Sequence, residues 1–289
     1  MFKMNKFYIR IVLFLLSVSL YVNNETLATE PAPQKVPPKD TNEATTPYLN
    51  KCQPTPEEIY EKNKNLLCTN HQETREAIKL MNEVAKHIED HATSIEGYTQ
   101  CKTKHGPGMV LYKKKQNNTN IKKMYYIVRD FYQHNEIINE IWNPNHANPF
   151  NPGSVKIFRV YNPNLVMIQH RYEKKFGSSQ KYFYALAARV EISKEKTIIA
   201  MASANINDGY PSKKEYKNKI IESANLFKTQ INSEDDIRKG KLTKVFVNVA
   251  GYFIQKYDNR IDIAYVESID GYDSFKQKSI IDKALNKFF

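Results

Sequence analysis

The chain has 289 residues, 43 Lys and Arg against 31 Asp and Glu, and a formal charge of +12. Its nine glycines form no phosphate-cradling loop, GxSxG is absent and no CxxC pair occurs. These absences argue against nucleotide hydrolysis, a hydrolase nucleophile elbow, and a zinc or thioredoxin-like site.

Lys3, Lys6 and Arg10 precede an apolar run at residues 11–22 (IVLFLLSVSLYV), and Thr26-Leu27-Ala28 supplies small residues for a signal peptidase. Residues 1–28 therefore read as a secretory signal, with a signal anchor as the alternative. No later stretch reaches ~18 apolar residues, so the mature protein is expected to be soluble. Losing Lys3, Lys6, Arg10 and Glu25 lowers the charge from +12 to +10. The remaining cations are scattered, with Lys113-Lys114-Lys115 the one dense run, and read as a solvated face weakly attracted to membranes. Secretion argues against nucleic acid as a partner.

Seven of the 13 prolines fall within residues 29–56, so residues 29–54 read as a disordered or extended linker. Cys52, Cys68 and Cys101 enter an oxidising pathway, where one pair can bridge. Cys52 to Cys68 is the shortest closure, worth ~3 kcal/mol if unstrained, though spacing does not fix connectivity. Residues 55–289 are expected to form one domain.

Thr55-Pro56-Glu57-Glu58 is a capping box with Pro at the first helical position, opening a helix to about Leu67. Ile78, Met81, Val84, Ala85 and Ile88 recur at helical spacing, predicting a helix over residues 70–92. Extended runs follow at 98–103, 109–115 and 123–129. Residues 131–142 return to helix, with Ile137, Ile138, Ile141 and Trp142 on one side, and Pro144, Pro149 and Pro152 forbid its continuation. Strands are predicted at 154–161, 165–173, 181–192 and 197–205, joined by connections short enough to make antiparallel neighbours. Tyr216, Ile220, Ala224, Phe227 and Ile231 at helical spacing predict a helix capped by Ser212-Lys-Lys-Glu215, and Ser233 to Asp236 reads as another capping box. Two strands, 245–255 and 260–268, and a terminal helix over 273–288 close the chain. The order gives an α+β fold with an antiparallel sheet; a long C-terminal helix laid across such a sheet, if curved, can enclose an apolar hollow, filled either by a ligand or by side chains.

No catalytic or metal constellation stands out. His87 and His91 share a helix face without the HExxH pattern, and read as exposed surface residues. Ser233 to Asp236 lacks the alternating oxygen ligands of a calcium loop. Strand 181–192 (KYFYALAARVEI) is more informative. One face carries Tyr182, Tyr184, Leu186, Ala188, Val190 and Ile192, the other Phe183, Ala185, Ala187, Arg189 and Glu191. Both faces are largely apolar, and the small residues Ala185, Ala187 and Ala188 leave room for close helix packing or for a ligand. A buried arginine needs an anion, so Arg189 faces either an internal carboxylate or a ligand phosphate. Arg159, expected beside Val155, Ile157 and Tyr161, raises the same question. The abundant Tyr and the single Trp142 could also cage a quaternary ammonium.

Several blocks, among them NEIINEIW, GSVKIFRVYNPNLVMIQHRY, KYFYALAARVEISKEKTIIAMASANIND and FVNVAGYFIQKYDNRIDIAYVESIDG, resemble the Plasmodium fam-a multigene family of rodent malaria parasites. The likeness runs from about Cys52 to the C-terminus. Such proteins are similar to START domains, which hold one lipid in a helix-grip fold. The resemblance implies non-enzymatic binding, and transfer between membranes, of a phosphatidylcholine-like phospholipid without a cofactor. It also implies secretion or export toward the host erythrocyte or the parasitophorous vacuole, although no RxLxE-type export signal follows the leader. The START pattern has an arginine on the strand matching 181–192, which makes Arg189 the implied phosphate partner. Arg159, Phe183, Tyr184, Ala185, Ala187, Tyr161 and Trp142 complete the lipid-binding candidates, and the loop at 174–180 would cover the tunnel mouth. The alternative is an exported protein that binds an unidentified host-cell protein and uses the START-like core as a scaffold.

Overall fold

Eight long strands build one sheet whose central strands are near-continuously apolar and buried on both faces. The computed structural model describes residues 53–101, 109–129, 133–144, 152–174 and 176–273. The chain divides into two units, Met1–Asn50 and Lys51–Phe289, and every described residue belongs to the second. The signal peptide, most of the linker, Cys52 and the expected terminal helix past Asp273 lie outside the described residues.

The strands are β1 (Thr99–Gln100), β2 (Met109–Gln116), β3 (Thr119–Val128), β4 (Gly153–Asn162), β5 (Leu165–Tyr172), β6 (Lys181–Ser193), β7 (Lys196–Ala202), β8 (Asn205–Asn207), β9 (Lys228–Gln230), β10 (Thr243–Lys244), β11 (Phe246–Tyr257) and β12 (Arg260–Asp270). Their order across the curved main sheet is β1-β2-β3-β12-β11-β7-β6-β5-β4, antiparallel throughout this path. Short β10 adds in parallel to β6, while β8 and β9 pair in parallel apart from the sheet. The helices are α1 (Pro56–Lys62), α2 (His71–Thr93), α3 (His134–Trp142) and the single turn α4 (Asp235–Arg238). None is long and apolar enough to cross a membrane.

Both ends of α2 are satisfied by side chains. Asn70 Oδ1 accepts from the backbone N–H groups of Gln72 and Glu73 at 3.0 and 3.1 Å. At the other end, the buried Lys123 ammonium donates to the carbonyls of Ala92 (3.3 Å) and Ser94 (2.7 Å), a cation where the helix dipole favours one. The apolar stripe of α2 (Ala77, Leu80, Met81, Val84, Ala85, Ile88) packs on one sheet face, with Tyr182, Tyr184, Leu186, Ala188, Ala200 and Ala202. Three alanines in that set let helix and sheet approach closely. The capping box at Thr55 forms as predicted: Glu58 N–H donates to Thr55 Oγ1 and Thr55 N–H to Glu58 Oε2.

The opposite sheet face carries its own core, with Met124, Tyr126, Ile168, Phe183, Ala185, Ala187, Ile199, Tyr252 and Tyr265 packed with Ile59 of α1 and Ile137, Ile138 and Trp142 of α3. The two faces of β6 divide as the alternation predicts. At Gly251, a Cβ would stand 2.2 Å from the Ile199 carbonyl oxygen, so β7 and β11 approach there only because no side chain intervenes.

Three expectations need correction. Residues 212–231 form no α-helix; a 3-10 turn (Glu222–Asn225) and β9 take their place. Asn218, buried at 3% exposure, explains the change. Its Oδ1 accepts from Ile220 and Ile221 N–H at 3.0 and 2.8 Å, and its Nδ2 donates to the carbonyls of Ser203 and Asn248. Side-chain bonds thus replace the helical ladder. Second, Ser233 does not cap α4: its hydroxyl donates to the Asp208 carbonyl, and Glu234 is the N-cap residue. Third, His91 is buried, not exposed, with Nδ1 3.1 Å from the Tyr98 hydroxyl. Burial and the nearby Lys114, His87 and Lys123 lower its pKa to about 4.

Candidate binding site

The site is assembled by cross-strand pairing on the α1/α3 side of the sheet. His170 of β5 pairs with Phe183 of β6, Val166 with Ala187, Ala187 with Met201 of β7, and Ile199 with Tyr252 of β11. Ile157 of β4 extends this surface through its pairing with Ile168. Ile59 from α1 and Ile141 and Trp142 from α3 roof it, and together with Asn143, Pro144 and Val155 these residues line a cavity of about 70 Å³. The described lining residues include no Asp, Glu, Lys or Arg. Ile59, Pro144, Val155 and Ile157 also border a wider groove of about 630 Å³, to which Glu58, Lys62, Asn63, Asn65 and Lys156 bring polar and charged groups. An apolar chamber therefore adjoins a polar-rimmed one across α1 and β4.

Besides Asn143 and Tyr252, the wall holds His170 and Trp142. His170 is 2% exposed, and burial lowers its pKa to about 4 despite a hydrogen bond to the Pro152 backbone. The Pro152 carbonyl can only accept, so a neutral His170 gives its ring N–H to Pro152. Its Nε2 is buried without a hydrogen-bond partner among the described residues. Trp142 is 7% exposed, and its indole Nε1 is likewise buried and unpartnered.

The sequence-derived candidates divide between the two faces. Phe183, Ala187 and Trp142 line the cavity, and Ala185 belongs to the same core. Arg189 follows Ala187 on that face. It is half-buried, its Nη1 donates to Asn139 Oδ1 at 3.3 Å, and it has no ion pair among the described residues. Burial lowers its pKa, opposed by the fields of Glu191 and Glu57. The internal carboxylate partner weighed for it is thus not within ion-pair distance among those residues.

Tyr184, Tyr161 and Arg159 lie on the α2 side instead. A β-bulge between Ile157 and Arg159 is the reason: it reverses the alternation, so that Ile157 faces the cavity while Arg159 turns the other way. Arg159 Nη1 donates to Glu73 Oε1 at 2.5 Å and Thr229 Oγ1 at 2.6 Å, and Tyr161 donates to the same Glu73 oxygen at 2.7 Å. Burial works against its charge, but Glu73 outweighs it and the pKa rises. Tyr184 joins a polar cluster with Gln169 and Glu234. Cys68 and Cys101 are half-buried and not bonded to each other.

Sequence reasoning missed Ile59, His170, Met201 and Tyr252. His170 carried a usable signal, since it alternates with Val166 and Ile168 on one face of β5. Ile59 carried none, because its role depends on how α1 folds back over β4. Among the described residues, no group of three or more His, Cys, Asp or Glu is placed to hold a metal.

No family model and no curated protein matches the chain. Solved structures with a related arrangement exist. Human StAR-related lipid transfer protein 5 is 12% identical with a TM-score of 0.46, over 73% of this chain and 90% of that one. Human STARD10 is 11% identical with a TM-score of 0.44, over 70% and 78% respectively. A STAR-related lipid transfer protein from Xanthomonas axonopodis is 8% identical with a TM-score of 0.42, over 66% and 93%.

Proposed function

We propose that this chain binds a lipid non-covalently on the α1/α3 side of its sheet and carries it between membranes. The observation that supports this most directly is the apolar cavity, opening past Ile59, Pro144, Val155 and Ile157 into a groove edged by Lys62 and Lys156. Such a pair of chambers suits an amphiphile: each buried CH₂ contributes about 0.8 kcal/mol, and the polar end stays among polar groups. At about 70 Å³ the cavity is well below the ~300 Å³ of ordinary ligand pockets. A diacyl lipid therefore loads by parting α1 and the Asn143-Pro144 corner from β4. No bond is made or broken in this cycle, so it needs no catalytic group.

A phosphatidylcholine-like ligand, fam-a membership and delivery through the secretory pathway belong to the proposal through the sequence resemblance. For the phosphate, Arg189 is the partner we assign through the resemblance: a half-buried cation on the same sheet face, outside the cavity's described lining, whose one side-chain bond among the described residues is to Asn139. Purified chain from residue 29 onward would be mixed with donor liposomes holding labelled phosphatidylcholine and with unlabelled acceptors. Transfer above the protein-free rate is expected. Folded protein that neither extracts nor moves any phospholipid would overturn the reading and leave the exported interaction scaffold in its place.

A further inference from the structure

Among the described residues, the wall of the cavity holds one unpartnered donor and one unpartnered acceptor. Trp142 Nε1–H can only donate. With its other ring nitrogen turned to the Pro152 carbonyl, His170 Nε2 can only accept. Both atoms are buried, both side chains are more than nine-tenths buried, and both residues line the same cavity of about 70 Å³. The remaining lining side chains are mostly hydrocarbon, and none that is described carries a charge. An unmet buried polar atom is costly, and one such atom of each kind in a single apolar chamber defines a chemical complement.

We propose that the Trp142–His170 pair is a recognition site for an uncharged O–H group at the end of an apolar ligand. The ligand oxygen accepts from Trp142 Nε1–H, and its proton is donated to His170 Nε2. One hydroxyl does both, as does the O–H and C=O of an un-ionised carboxylic acid. A carboxylate or phosphodiester does not fit, because it has no proton for His170 and meets no cation among the described lining residues. The apolar body then runs past Ile59 and Ile157 toward the wider groove. This assignment rests on the cavity being the ligand site, and it narrows the ligand to an amphiphile with a free O–H, which phosphatidylcholine itself lacks.

The test compares n-octanol with methyl heptyl ether, which has the same number of heavy atoms and keeps the acceptor but lacks the donor. Binding is measured by calorimetry and by NMR of the indole N–H, a single signal because Trp142 is the only tryptophan. Octanol is expected to bind at least about tenfold more tightly than the ether, and both should move the indole N–H resonance downfield. His170→Phe should erase the alcohol-to-ether ratio, and Trp142→Phe should weaken both ligands alike. Octanoic acid separates the two sources of the group: binding that strengthens as pH falls toward its own pKa identifies the un-ionised acid as a ligand as well. Equal affinity for octanol and the ether in the unmodified protein overturns the proposal and leaves an apolar lipid site standing. Failure of both ligands to bind overturns it together with the cavity reading. The unmodified-protein comparison needs no variant to fold.

Discussion

The imidazole of His170 lies flat on the ring of Phe183, with centroids 5.1 Å apart and planes 6° from parallel. This stack places a titratable group deep in an apolar wall, where the charged form is disfavoured. An unfolded histidine titrates near 6.5, and His170 in the fold near 4. Between those values the unfolded chain binds a proton that the folded chain refuses. Stability is therefore full above pH 6.5 and falls as pH drops toward 4, by about 3 kcal/mol from this group. His91, also lowered to about 4, adds a loss of the same sign. Urea denaturation of His170→Asn should show a shallower fall between pH 6.5 and 4.5 than the unmodified protein, whatever its stability at neutral pH. An unchanged slope would mean that His170 protonates freely in the fold.

Arg159 and Arg189 stand on opposite faces and should separate in experiment. Arg159 binds Glu73, so Glu73→Ala strands a half-buried guanidinium and should cost about 2 kcal/mol in thermal or chemical denaturation. Arg159→Met should leave lipid uptake per folded molecule unchanged. Arg189→Met should do the reverse, lowering phospholipid uptake severalfold with little change in Tm, since its one side-chain bond among the described residues is a 3.3 Å contact with Asn139. Equal loss of uptake in both variants would remove Arg189 as the phosphate partner.

Asn218 holds residues 218–225 in their non-helical course. Its amide meets two N–H groups and two carbonyls that have been taken out of water. Asn218→Ala should destabilise the chain by about 3 kcal/mol, measured by urea denaturation. A loss below about 0.5 kcal/mol would mean that the segment's path is set by its apolar residues instead.

That segment also shows where the sequence ceased to be readable. Ile220, Ala224, Phe227 and Ile231 are all buried, as their helical spacing suggested, yet the backbone between them is not helical. Spacing reports which residues go inside. It does not report that a buried amide will compete for their N–H groups. Strand positions were legible because β5, β6, β11 and β12 are long runs rich in β-branched and aromatic residues, buried on both faces and bounded by turns. The faces of β6 followed directly from the alternation of side chains along a strand. Arg159 did not, because a bulge inserts one residue without a sequence mark and turns over the side chains that follow, until a second shift between Val160 and Asn162. The cavity was legible only in part: small residues on β6 announced space, while its roof depends on long-range placement of α1 and α3.

Those small residues support the last prediction. Ala187 and Ala188 are neighbours in sequence, but Ala187 lines the cavity and Ala188 packs in the α2 core. Ala187→Val adds two methyl groups where space exists, in a residue type that suits a strand. Tm should hold or rise slightly, while lipid uptake falls because the chamber is filled. Ala188→Val meets the close-packed face beneath α2, where overpacking costs about 1–3 kcal/mol, and should lower Tm without changing uptake per folded molecule. Calorimetric melting and liposome extraction on the two variants give four numbers. If Ala187→Val left uptake intact, the ligand would lie elsewhere than this cavity. If Ala188→Val were the one to block uptake, the binding face would be the α2 side of the sheet.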